Sequence, residues 1–206
     1  MRKTLFSGIA ACLLATAATA AEQSPSVIWT VGQADRSASE FALAPDRFRD
    51  FLANDFGYED KYFLVGHSVP AADFPYVLPG PADTWGGTWP TSGWRTHQVN
   101  ILFGLKEIPS DGTCTLVVDL LDYAKNFLPL VKVSVNTQDA KFQLDAPGLC
   151  VADQRKPNQM EKIVDTLSIT GNLAKATPRR LEIPIRPGVL KAGGNEVTIT
   201  VLEGSW

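Results

Sequence analysis

The segment from Gly66 to Gln98 concentrates most of the side chains that lend themselves to chemistry. It holds five Pro and five Gly together with Phe74, Tyr76, Trp85, Trp89 and Trp94. A loop this long inside a compact domain is usually functional or disordered, and its aromatic load argues against disorder. Flat rings suit sugar recognition, because the C–H groups on one side of a pyranose make an apolar surface that lies on an aromatic face. Asp83, Arg95, His97 and Gln98 stand close by in the sequence and suit hydrogen bonds to hydroxyls or to a uronic carboxylate. The candidate carbohydrate-binding residues are therefore Tyr76, Asp83, Trp85, Trp89, Trp94, Arg95 and His97. The same residues admit a plainer role, in which prolines and tryptophans pack on one another as an Ω-like cover for the domain.

Catalytic alternatives find less support. Leu64-Val65-Gly66-His67-Ser68 runs like a strand into a nucleophile elbow. An elbow needs a small residue two places past the serine and then a helix, whereas here Pro70 occupies that place and Pro75, Pro79 and Pro81 follow. The only histidines, His67 and His97, exclude a multi-histidine zinc site. Acidic pairs such as Glu59-Asp60 cannot be assigned to glycosidase work, which depends on a spatial separation. Neither a catalytic residue nor a cofactor is expected. A calcium ion held by loop carboxylates and carbonyls would suit such a domain, but no Asp-rich loop motif identifies ligands and the metal line stays open.

The elements that must position these residues read as strands. Runs at 27–32, 62–66, 97–105, 114–121, 130–136, 141–144, 180–185 and 196–202 are rich in branched and aromatic residues. In Lys132-Val133-Ser134-Val135 and in Glu196 to Val201 the apolar residues fall at every second position, as expected for an antiparallel sheet with one face on a core. One short helix is expected over 46–56, where Phe48, Phe51, Leu52 and Phe56 have helical spacing between Pro45 and Gly57. Eight such runs without βα alternation predict an all-β antiparallel sandwich with one short helix and a long Trp/Pro/Gly-rich loop. The chain has 206 residues, 45% hydrophobic and 20% charged, and a formal charge of −3. This is the composition of an ordinary folded domain with no polybasic surface for nucleic acid.

Residues 1–20 have the layout of a signal peptide. Arg2 and Lys3 precede an apolar stretch from Leu5 to Ala18, and Ala18-Thr19-Ala20 has the small-x-small form of a cleavage site. The expectation is a secreted or periplasmic protein, with residues 21–206 as one domain that has no membrane association after cleavage. Cys114 and Cys150 then remain as a pair, and an even pair in an exported chain points to a disulfide. Closing a loop of about 37 residues would stabilise the fold by roughly 4 kcal/mol on the chain-entropy account.

Several blocks carry a family resemblance. Ile28-Trp29-Thr30-Val31-Gly32, Ala38-Ser39-Glu40-Phe41, Phe56-Gly57-Tyr58 and Tyr62 to Gly66 resemble the opening of the C-terminal, carbohydrate-binding-module-like domain of family 4 polysaccharide lyases, the rhamnogalacturonan lyases. Val77 to Asp83, Arg95-Thr96-His97, Asn100 to Phe103 and Gly193-Gly194-Asn195-Glu196 are similar to blocks of exported polysaccharide lyases. The resemblance covers nearly all of the chain after residue 20. It implies a jelly-roll sandwich and association with a pectic polysaccharide or with a catalytic lyase domain. It implies no lyase catalysis here, because the family's catalytic Lys and His belong to a separate domain. In the family the last strand continues past the segment matching Glu203-Gly204-Ser205-Trp206, so a truncated member or fragment is expected. A purely structural accessory domain is the alternative function.

Overall fold

The computed structural model describes residues 26–42, 60–78, 80–81, 97–109, 113–124, 127–144 and 178–204. Seven strands and one helical turn lie among them: β1 (Lys61–Leu64), α1 (Pro70–Asp73), β2 (Gln98–Leu105), β3 (Thr115–Leu120), β4 (Leu130–Val135), β5 (Gln138–Gln143), β6 (Arg179–Pro184) and β7 (Gly193–Glu203). A five-stranded sheet has the order β1-β2-β7-β4-β5, and β3 pairs with β6 in a second sheet. The two sheets form a β-sandwich, as the strand pattern predicts.

Period-two alternation explains which face of each strand is buried. Val99, Ile101 and Phe103 of β2, Val131, Val133 and Val135 of β4, and Val197 and Val201 of β7 turn inward. They meet Leu181 and Ile183 of β6 and the partly buried Leu116, Val118 and Leu120 of β3 in one core. Val133 is fully buried.

Three expectations change. Among the pairings between the named strands β1 with β2 is parallel while the others are antiparallel. A parallel neighbour requires a crossover, and the chain between Leu64 and Gln98 supplies it. Residues 26–32 carry no strand, although Trp29 packs on the core with its ring 5.2 Å from that of Phe103. Val27 and Ile28 are exposed there and Gly32 turns the chain at φ +76°, so branched residues alone did not secure a place in a ladder. Cys114 is a half-buried free thiol instead of half a bridge, and Cys150 lies outside the described residues. The expected helix at 46–56 also lies outside them.

Candidate functional site

The aromatic segment leaves the sheet through a tight turn after β1. Ser68 Oγ accepts a 2.9 Å hydrogen bond from Leu64 N, and Ser68 N donates to Leu64 O at 2.8 Å. The hydroxyl thus closes a turn. Pro70 then opens the single turn α1, where its missing N–H is no loss. Asp73 Oδ2 accepts from Val69 N at 2.7 Å. Phe74 returns the chain to the domain. Its ring stands edge-on to Phe63 at 5.7 Å and tilted to Phe41 at 5.3 Å, and its carbonyl accepts from Ala42 N at 2.9 Å.

Of the sequence-predicted binding residues, the structure describes two. Tyr76 is half-buried two residues past this anchor, and desolvation pushes its phenol above the ordinary value of 10.0, so it remains a neutral hydroxyl. His97 immediately precedes β2 and is only 6% exposed, so its imidazole lies within the domain surface. Asp83, Trp85, Trp89, Trp94 and Arg95 lie outside the described residues.

Sequence reading missed the face of the five-stranded sheet that points away from the core. Register places Tyr62, Asn100, Thr198, Ser134 and Asp139 side by side across all five strands. Adjacent strands stand about 4.8 Å apart, so this polar row spans roughly 19 Å. Thr198 Oγ1 donates to Asn100 Oδ1 at 3.0 Å, and Asn100 Nδ2 donates to Lys61 O at 3.4 Å. Asp139 takes an ion pair from Lys132 at 3.0 Å. The hydrogen bond from Ser134, then that from Lys132, holds the Asp139 carboxyl below its ordinary value. Tyr62 is 60% exposed at one end of the row, whereas its neighbour Asn100 is only 1% exposed, so the row is covered there and the amide is committed to holding the strands together.

Next to it, Leu64, Leu102 and Glu196 form a second row, followed by the facing pair Gly104 and Gly194. These residues, with Asn136 at one end, line a shallow groove of about 520 Å³. The strand run of β2 and the alternation of β7 were legible in advance, but the neighbours that each outward residue acquires depend on a strand order that no local pattern carries.

No group of three or more His, Cys, Asp or Glu side chains able to hold a metal occurs among the described residues. No helix among them is long and apolar enough to cross a membrane. Curated proteins yield no match to the chain. The family model described as CBM-like, polysaccharide lyase family 4, domain III matches residues 27–206, and the chain, whose described strands form a β-sandwich, belongs to this family of carbohydrate-binding-module-like domains.

Proposed function

We propose that this protein is an exported, non-catalytic carbohydrate-binding module that attaches to pectic polysaccharide, alone or beside a catalytic lyase domain. The observation that carries the reading is membership of the family 4 lyase domain III family over residues 27–206. The aromatic segment supports it, since the residue types of Tyr76, Trp85, Trp89 and Trp94 suit stacking on sugar rings and those of Asp83 and Arg95 suit hydrogen bonds to hydroxyls and carboxylates. Arg95 suits the bidentate recognition of a galacturonate carboxylate. The amino-terminal pattern of Arg2, Lys3 and Ala18-Thr19-Ala20 supports export.

Affinity electrophoresis and calorimetry against rhamnogalacturonan, homogalacturonan and a neutral glucan test the proposal. Retardation by the pectic polymers, weakened at least tenfold by replacing Trp85, Trp89 and Trp94 together with Ala while the melting temperature holds, is the expected result. Absence of binding to every polymer would overturn it.

A further inference from the structure

Two glycines that face each other near one end of the β2–β7 ladder, next to last in β2 and second in β7, have neither a conformational nor a packing need to be glycine. Gly104 of β2 faces Gly194 of β7 directly in the antiparallel ladder. Neither has the positive φ that excludes side chains; in the neighbouring turn that demand falls on Gly193, at φ +92°. Nor does packing exclude a side chain. A Cβ on Gly194 would meet nothing within 4 Å, and one on Gly104 would come no closer than 4.0 Å to Gly193 O. Glycine weakens a strand interior, and where the protein itself does not fill the space it marks a place where something else approaches the backbone. The contrast with Gly80 is instructive, because there a Cβ would sit 2.6 Å from Gly204 O and the protein's own packing forbids it.

What surrounds the bare backbone defines the visitor. Leu64 is 45% exposed and stands in register with Leu102, giving an apolar wall beside the glycine floor. Tyr62, two residues earlier on the same face, extends that wall. Glu196 lies opposite Leu102 and is exposed, and its carboxylate makes no hydrogen bond or ion pair among the described residues. The other polar side chains of the groove are already committed. Asn136 Nδ2 donates to Val189 O and Asn195 Oδ1, while its Oδ1 accepts from Glu196 N. Asn195 is tied to Lys191 and Gly193. The groove therefore offers a flat apolar wall, a floor without side chains and one acceptor-only anion.

We infer that the groove over Gly104 and Gly194 is a second saccharide site that takes a neutral sugar residue, with the pyranose edge on the glycine floor, its C–H face against Leu64 and Leu102, and a hydroxyl donating to Glu196. The inference rests on the carbohydrate-binding reading of the domain and adds to it a location and a charge preference. A carboxylate accepts from hydroxyls and repels a uronate, so the site selects the uncharged units of a mixed polysaccharide. By its chemistry Arg95 of the aromatic segment suits the charged units instead.

The test is a titration of the full chain followed by amide NMR at neutral pH, with methyl rhamnoside and galactobiose as neutral probes and digalacturonate as the acidic one. The expected result is a saturable shift of the Gly104, Gly194 and Glu196 amides with a neutral probe, at least tenfold weaker with digalacturonate. G104V should abolish that shift while leaving the melting temperature at or above that of the unmodified protein, since a branched residue suits the strand and has room. E196Q should narrow the gap between neutral and acidic probes. Saccharide shifts confined to other residues, or unchanged in G104V, would overturn the groove assignment and leave the carbohydrate reading standing. Equal or tighter digalacturonate binding at Gly104 would overturn the charge preference. No shift with any saccharide, and no retardation by any polymer, would overturn both.

Discussion

Asn136 Nδ2 donates a 2.8 Å hydrogen bond to Asn195 Oδ1, fastening the β4–β5 turn to the start of β7. Asn136 sits at φ +49°, a backbone state that asparagine tolerates better than most residues. Asn195, only 4% exposed, also accepts from Lys191 N at 2.9 Å and donates to Lys191 O at 2.8 Å and Gly193 O at 3.1 Å. Its amide thus uses both donors and both lone pairs.

Asn195→Ala should lower stability by about 2 kcal/mol, because it removes at once the hydrogen bonds that a buried amide makes to Lys191, Gly193 and Asn136. Asn195→Asp should be worse at neutral pH, since an anionic oxygen would face the carbonyls of Lys191 and Gly193. Its folded form favours a protonated carboxyl, so this variant should regain stability as pH falls. Urea midpoints measured between pH 7 and pH 4 check both statements.

Gly204 combines a left-handed backbone with crowding. Its φ is +84°, and an added Cβ would lie 2.6 Å from Phe127 O. Gly66 has a similar φ of +85° but nothing within 4 Å of the added atom. Gly66→Ala should cost only the conformational strain, about 1–2 kcal/mol. Gly204→Ala adds the displacement of the Phe127–Leu128 backbone and should cost roughly twice as much. Thermal denaturation of the two variants side by side separates strain from collision.

Gln138 is a polar tie between the two sheets. It is 7% exposed on β5, donates from Nε2 to Pro184 O at 2.8 Å at the end of β6, and accepts from Arg186 N at 2.9 Å. Gln138→Ala should cost about 2–3 kcal/mol through the two orphaned backbone groups. Hydrogen exchange should show faster opening at the Arg186 amide in particular, with smaller changes in the centre of β4.

Asp139 gives a pH signature without much stability. Ser134 and Lys132 hold its carboxyl below the ordinary 3.8, so the contribution is present above the unfolded value and is lost as pH falls through the lower folded value. The pair is solvent-exposed, with the Asp139 side chain 53% accessible, so salt should screen it. A side-chain carboxyl titration by NMR should place Asp139 below 3.8, and Lys132→Ala should move it upward.

Alternation made the sandwich readable in the sequence. Val133 and Val135, or Val197 and Val201, are inward because neighbouring polar residues point outward, a relation carried by adjacent residues alone. Trp29 shows the limit of that signal. Its neighbours have strand propensity, yet Val27 and Ile28 are exposed, and the tryptophan reaches the core through its ring without joining a ladder. The parallel β1–β2 pairing was illegible because it depends on where a crossover of over thirty residues returns the chain. For the binding surface, aromatic crowding pointed to Tyr76 and His97, which the domain half buries and buries respectively. Tyr62 and Glu196 escaped notice because each looked like an ordinary outward residue of its strand. Gly104 and Gly194 were hidden for another reason: a glycine letter looks the same whether its side is crowded, as at Gly80, or empty.

The place of β7 bears on how the chain acquires its structure. This strand is the latest in sequence among those described, yet it lies in the middle of the five-stranded sheet, between β2 and β4. Before it arrives, β1–β2 and β4–β5 are two ribbons, each with an open edge waiting for the same partner. The sheet therefore cannot close until β7 has emerged, and the two ribbons stay unjoined up to that point. That order makes the waiting edges of β2 and β4 the surfaces that a holding chaperone would have to shield.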